Sequence, residues 1–134
     1  MSRRLLALAA VAAMASASLV AVSSSPAHAV CINPDSSALY MYENRDGSGD
    51  VYQATITLAS LHSVHYNDKA SRLWNKYTCN AWVVYDDSNF GDRRYCIRPR
   101  QTVDLHREQW NFGDKISSIR KLGNGSCSGY PTFG

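Results

Sequence analysis

The sequence predicts an all-β protein in which two Greek-key motifs pack as one sandwich held by two disulfides. Three observations carry this. The chain repeats itself: Ala38-Leu39-Tyr40-Met41-Tyr42-Glu43-Asn44 is echoed by Ala81-Trp82-Val83-Val84-Tyr85-Asp86-Asp87 at an offset of 43 residues. Both segments are rich in aromatic and β-branched residues, and beyond the first residues no helical period outlasts a turn, which is a strand signature. Four cysteines, Cys31, Cys79, Cys96 and Cys127, lie past an export signal, and an even count in a small secreted domain reads as two bridges.

The signal comes first in the chain. Arg3 and Arg4 precede an Ala-rich apolar run from Leu5 to Val22, and Ala27-His28-Ala29 is an A-x-A cleavage site. Residues 1–29 therefore read as a secretory signal peptide and 30–134 as a single exported domain. The small-residue cleavage site argues against a membrane anchor, and no other apolar run approaches membrane length. Removing Arg3 and Arg4 leaves 12 Lys+Arg against 11 Asp+Glu, a net charge of +1. That balance gives no electrostatic case for nucleic acid. A small secreted monomer is the expectation, with no membrane partner. The cysteine spacings contain no C-x-x-C, so they do not resemble a zinc site. Four cysteines allow three pairings, and the sequence does not choose among them.

Each copy, about 38–78 and 81–122, is read the same way. It opens on a strand, turns through Asn44-Arg45-Asp46-Gly47-Ser48-Gly49 or Asp87-Ser88-Asn89-Phe90-Gly91-Asp92, and returns near Val51–Ile56 or Arg93–Arg98. The short turn makes the first two strands a hairpin. A longer connection follows, and the offset grows to 44 at Leu61-His62 and Leu105-His106. The copy closes on Tyr66-Asn67-Asp68-Lys69-Ala70-Ser71 or Phe112-Gly113-Asp114-Lys115-Ile116-Ser117, now offset by 46, before a last strand. A drifting offset with matched ends is what duplication followed by loop insertion leaves. Four short strands per copy make two Greek keys. Tyr40, Tyr42, Trp74, Trp82, Tyr85, Phe90 and Trp110 offer aromatic area for the space between the sheets.

The residues that could carry chemistry are few. Asp and Ser in paired loops supply oxygen, which suits calcium, although the same residues also lock turns. His62 and His65 form an H-x-x-H with no third ligand adjacent. His62 recurs as His106, which favours a structural role for both. Catalysis fits poorly: oxidised cysteines are no nucleophiles, and nothing resembles a nucleophile elbow. Asp86 and Asp87 are neighbours on a strand and point to opposite faces, so they cannot act as a carboxylate pair. No enzyme is expected. The loop Ile97-Arg98-Pro99-Arg100-Gln101-Thr102-Val103-Asp104 starts beside Cys96, and Pro99 stiffens it, so it could present a rigid binding surface.

Taken together, strand, Tyr, acid, polar turn and Phe/Gly, followed by an Asn/Asp-Asp-x-x-Ser loop, resemble the βγ-crystallin Greek-key motif. Tyr85-Asp86-Asp87-Ser88-Asn89-Phe90-Gly91 is the most specific segment. The secreted, cysteine-containing, two-copy form is similar to the peptidase-inhibitor family typified by a Streptomyces metalloproteinase inhibitor. The chain departs from the pattern at Gly47, where the family has an aromatic, and at Asp92, where it has Gly. The resemblance implies calcium ligands at Asn67, Asp68 and Ser71 in one loop and at Asp114 and Ser117 in the other. Contributions near Glu43 and Asp86 would come from the opposite hairpins. Arg72 stands where the first loop should have a second Ser, and Gly113 where the second loop should have an acid or amide. The family implies a peptidase-inhibitor-like binding protein directed at extracellular metalloproteases, with a secreted protease as partner. The alternatives are a calcium-binding extracellular structural or stress protein and a secreted antimicrobial toxin. No cofactor other than calcium is implied.

Overall fold

The computed structural model describes residues 17–18 and 31–134, so apart from residues 17–18 the expected signal peptide lies outside the described residues. Among the described residues, no helix is long and apolar enough to cross a membrane. Seven strands among the described residues form two antiparallel sheets: β1 Leu39–Tyr42, β2 Val51–Ala54, β3 Arg72–Asn75, β4 Trp82–Asp87, β5 Gly91–Ile97, β6 Thr102–Asp104 and β7 Ser118–Lys121. Short 3₁₀ turns occupy Leu61–Val64 and Ser88–Phe90. The hairpins β1–β2 and β4–β5 form as expected from their tight polar turns.

The first sheet runs β2-β1-β3-β6 and the second β5-β4-β7. Each copy keeps its first, second and fourth strands together and sends its third segment to the other sheet. In the second copy that segment is β6, which pairs with β3. In the first copy it shrinks to one bridge, Leu58 to Ile119 of β7. The expected third strand of copy one is therefore reduced to a bridge, and Thr55-Ile56-Thr57 before it is exposed.

Alternation puts Leu39, Met41, Ala54, Leu73 and Val103 inward from the first sheet, and Trp82, Val84, Ile97 and Ile119 inward from the second. Each buried Val, Leu, Ile or Met among them contributes about 1.5–3 kcal/mol. The aromatic core differs from expectation. Of the seven aromatics nominated from the sequence, only Trp82 sits in the main core, and Tyr85 is buried in a smaller cluster behind the second sheet. Tyr40, Tyr42 and Trp74 are one residue out of phase with the inward positions and lie on the outer face. Tyr66, Tyr77, Phe112 and Phe133 fill the interior instead. Tyr66 is wedged between the copy's own strands, where its hydroxyl donates to the carbonyls of Met41 (2.8 Å) and Asp50 (2.9 Å).

The disulfides pair Cys31 with Cys79 and Cys96 with Cys127. Each joins a cysteine between or within the copies to one outside them. The segment before the first copy is further tied by Asn33, whose Oδ1 accepts from the backbone N–H of Thr78 (3.1 Å) and Cys79 (3.0 Å). The segment after the second copy runs beside β5 as a parallel bridge, with Cys96 N donating to Pro131 O at 2.7 Å. It thereby covers a sheet edge that would otherwise be open. It ends by inserting Phe133, 1% exposed, against Tyr95, Trp110 and Phe112.

The loop after β5 is not extended. Gln101 N donates to Arg98 O (3.2 Å), Pro99 leads the turn, and Arg100 follows with φ +64°. A turn of this shape favours glycine at that third position. Arg100 is exposed, so Arg100→Gly should stabilise the fold by about 0.5–1 kcal/mol in urea unfolding, strain relief outweighing the entropy of glycine. Burial raises the Tyr66 phenol above its ordinary value of 10.0. The folded state thus holds a proton that the unfolded chain releases. Stability from this group is complete below about pH 10 and is lost as pH rises through the folded value. Tyr66→Phe should flatten that alkaline loss while costing about 1 kcal/mol at neutral pH from its hydroxyl bonds.

Candidate functional site

The two copies are locked where each closing loop crosses to the other copy. Leu61 N donates to Ser117 O (2.8 Å) and Leu105 N to Ser71 O (3.0 Å); Asp68 N donates to Ile116 O (3.0 Å) and Asp114 N to Ala70 O (2.9 Å). Ser71 N donates to Tyr42 O at 2.8 Å, and Ser117 N to Tyr85 O at 2.9 Å. The side chains repeat the exchange. Ser71 Oγ donates to Asp114 Oδ1 (3.2 Å), and Ser117 Oγ to Asp68 Oδ1 (3.1 Å). Each pair unites a serine of one copy with a carboxylate of the other. Asp68 (φ +54°) and Asp114 (φ +55°) both take the left-handed conformation, which Asp tolerates better than most residues and which turns each loop toward its partner.

The two clamps differ. In the first, Asn67 precedes Asp68 in the chain, and its Oδ1 is buried and accepts no hydrogen bond among the described residues. Leaving such an oxygen without a partner costs about 1–3 kcal/mol. In the second, Asp114 and Ser71 open onto a cleft of about 640 Å³ that Glu43, Asn44, Asp46 and His106 also line. His106 fills the place the sequence leaves empty at Gly113. A methyl group there would stand 2.3 Å from the ring's Cε1. Its Nε2 lies 2.9 Å from Ser71 Oγ and 3.8 Å from Asp114 Oδ2. Hydrogen bonding by Ser48 holds the Asp46 carboxyl below the usual carboxylate range, and Arg45, chiefly by its hydrogen bond, does the same to Asp104.

Other expected contributors are placed as follows. Glu43 lines the second clamp's cleft, but its Oε2 accepts from Asp50 N at 2.9 Å. Asp86 is held by Arg93 at 2.8 Å. Arg72, which the sequence puts next to Ser71, lies on the opposite face of the strand with its guanidinium over Tyr42 at 5.9 Å. The recurring histidines part company: His106 enters a clamp, whereas His62 and His65 are exposed on and after the 3₁₀ turn. Among the described residues, no group of three or more His, Cys, Asp or Glu side chains gathers as a metal site. Each clamp pair holds one carboxylate; Glu43 and Asp46 line the cleft beside the second, but they already accept from Asp50 N and from Ser48. The role of His106 was missed from sequence, and its one signal was Gly113 standing at a position where the repeat has Asn67.

Comparison with known proteins agrees with this geometry. No curated protein matches the chain significantly. A solved βγ-crystallin domain from Flavobacterium johnsoniae is 29% identical, with TM-score 0.53, 66% of this chain and 98% of that one being covered. A βγ-crystallin from an archaeon is 22% identical with TM-score 0.54, covering 66% of this chain and 100% of that one. IPSE/alpha-1 from Schistosoma mansoni eggs shares the fold at 17% identity and TM-score 0.53, over 68% of this chain and 93% of that one. The signature of the Beta/Gamma crystallin family matches residues 38–122, which span both Greek keys and both crossed loops, and the chain belongs to that family.

Proposed function

We propose that this protein is an extracellular binding module whose crossed loops take calcium, and that calcium stabilises the sandwich. The observation that carries this is the buried Oδ1 of Asn67, without a hydrogen-bond partner among the described residues, on the residue that precedes Asp68 of the Asp68–Ser117 pair. A hard cation attracts oxygen ligands of this kind, and Asn67, Asp68 and Ser117 would hold it together with backbone carbonyls. In the other clamp, Asp114 and Ser71 would serve, with His106 in competition for Ser71. A single carboxylate per clamp favours the weak range of extracellular modules, about 10⁻⁴–10⁻³ M. Two disulfides fit an oxidising, secreted setting. Members of the family are generally structural or binding proteins, which agrees with a non-catalytic role.

The peptidase-inhibitor reading has one relevant feature, the turn Arg98–Gln101 anchored next to the Cys96–Cys127 bridge. That turn is closed, whereas a loop that occupies a protease cleft is extended. Failure of the oxidised protein to slow a panel of secreted metallo- and serine proteases at micromolar concentration would remove this reading.

Calcium at about 10 mM should stabilise the fold by about 1.4 kcal/mol for a 1 mM site, raising the thermal midpoint by roughly 5 °C or more. Chelator should reverse the shift, and Asp68→Asn should remove more of it than Asp114→Asn. An unchanged midpoint in calcium would defeat the reading. Gly113→Ala should cost about 1–3 kcal/mol by driving the His106 ring off Ser71, and adding His106→Ala should recover most of that loss in denaturant unfolding.

A further inference from the structure

Strand register sets two rows of residues on the outer face of the first sheet. One is Gln53, Tyr40, Trp74 and Thr102; the other is Val51, Tyr42, Arg72 and Asp104. The aromatic members form a continuous platform. The Tyr40 ring lies 6.2 Å from Tyr42 with planes 22° apart, and 5.4 Å from Trp74 with planes 35° apart. All three are partly exposed.

The cations around this platform are what make it more than a sheet-stabilising ladder. Lys76 Nζ lies 5.7 Å from the rings of both Tyr40 and Trp74, and the Arg72 guanidinium 5.9 Å from that of Tyr42. Among the described residues, neither has a carboxylate within ion-pair distance. Asp104, the one carboxylate of these two rows, is already taken by Arg45 at 2.6 Å. Arg72 is the smallest of the influences that hold the Asp46 carboxyl low, and the two make no ion pair. The face is therefore an aromatic strip with an unmatched positive charge toward each end. Lys76 and Arg72 are four residues apart along the chain, about 13 Å.

We propose that this face binds an acidic polysaccharide, with sugar rings laid on Tyr40 and Trp74 and carboxylates met by Lys76 and Arg72. The apolar C–H faces of a pyranose match an aromatic platform, and sparse carboxylates along a glycan match two separated cations. A nucleic acid fits less well, because its affinity depends on neutralising many closely spaced phosphates and only two unmatched cations are present. A neutral glycan would leave both cations without a counterpart. The proposal is independent of calcium, since none of these residues belongs to a clamp.

The test is calorimetric titration of the oxidised protein with a short oligogalacturonate, a neutral cello-oligosaccharide of equal length, and a single-stranded thymidine oligonucleotide. Saturable binding of the oligogalacturonate is expected, weakened by salt, abolished by Trp74→Ala and reduced about tenfold by Lys76→Gln with Arg72→Gln. Lys76→Gln alone changes a side chain outside the core and serves as the informative variant if Trp74→Ala loses its melting transition. No saturable binding at about 10 mM oligogalacturonate, undiminished binding by the variants, or tighter binding of the neutral glycan or the oligonucleotide would overturn the proposal.

Discussion

The reciprocal crossing of the two closing loops is the constraint on which the remaining structure depends. Neither copy completes its own hydrogen bonding. The backbone of Ser71 feeds Leu105 of the second copy, and that of Ser117 feeds Leu61 of the first. The serine hydroxyls then reach the carboxylates of the opposite loops. The swap of β6 into the first sheet, mirrored by the single bridge of Leu58 to the second, follows from the same crossing. A half-domain would lose these cross-copy hydrogen bonds and uncover the apolar faces between the sheets, so the crossing couples the two copies.

The disulfides serve a different part of the molecule. Both tie segments outside the two Greek keys to the keys themselves. The C-terminal segment shows why a tie is useful. It contributes one edge bridge, the fully inserted ring of Phe133 and the packing of Cys127 and Tyr130. Chain entropy alone would favour its release, and the Cys96–Cys127 bond limits that freedom. The sandwich core itself is built from side chains between the sheets and does not include either bridge, although Cys96 and Cys127 join the smaller cluster behind the second sheet.

Duplication has left the copies unequal in ways that bear on function. At the first clamp an amide oxygen is left over; at the second an imidazole occupies the corresponding room. The outer faces also differ. That of the first sheet is an open aromatic and cationic strip, whereas behind the second sheet Cys127 and Tyr130 of the C-terminal segment pack against Val83 and Tyr85. One fold thus presents an edge of crossed loops and a separate flat surface, and the two are served by alternate residues of the same strand end: Ser71 turns inward to the clamp and Arg72 outward to the face.

Fold class, duplication, the two hairpins and the residues of both crossed loops were legible in the sequence, because a repeat with strand periodicity and matched loop chemistry is a local pattern. Asp68, Ser71, Asp114 and Ser117 were all named from it. The register of the aromatic residues was not legible. Alternating Tyr40 and Tyr42 with Leu39 and Met41 gives two apolar faces, and only the packing of the second sheet decides which turns inward. The sequence left three cysteine pairings open, and the position of the two outer segments chose one. His106 is the sharpest case. Its recurrence with His62 suggested equal roles, but whether an imidazole meets a clamp depends on a Gly113 that leaves room for it, a contact between residues that only the folded chain brings together.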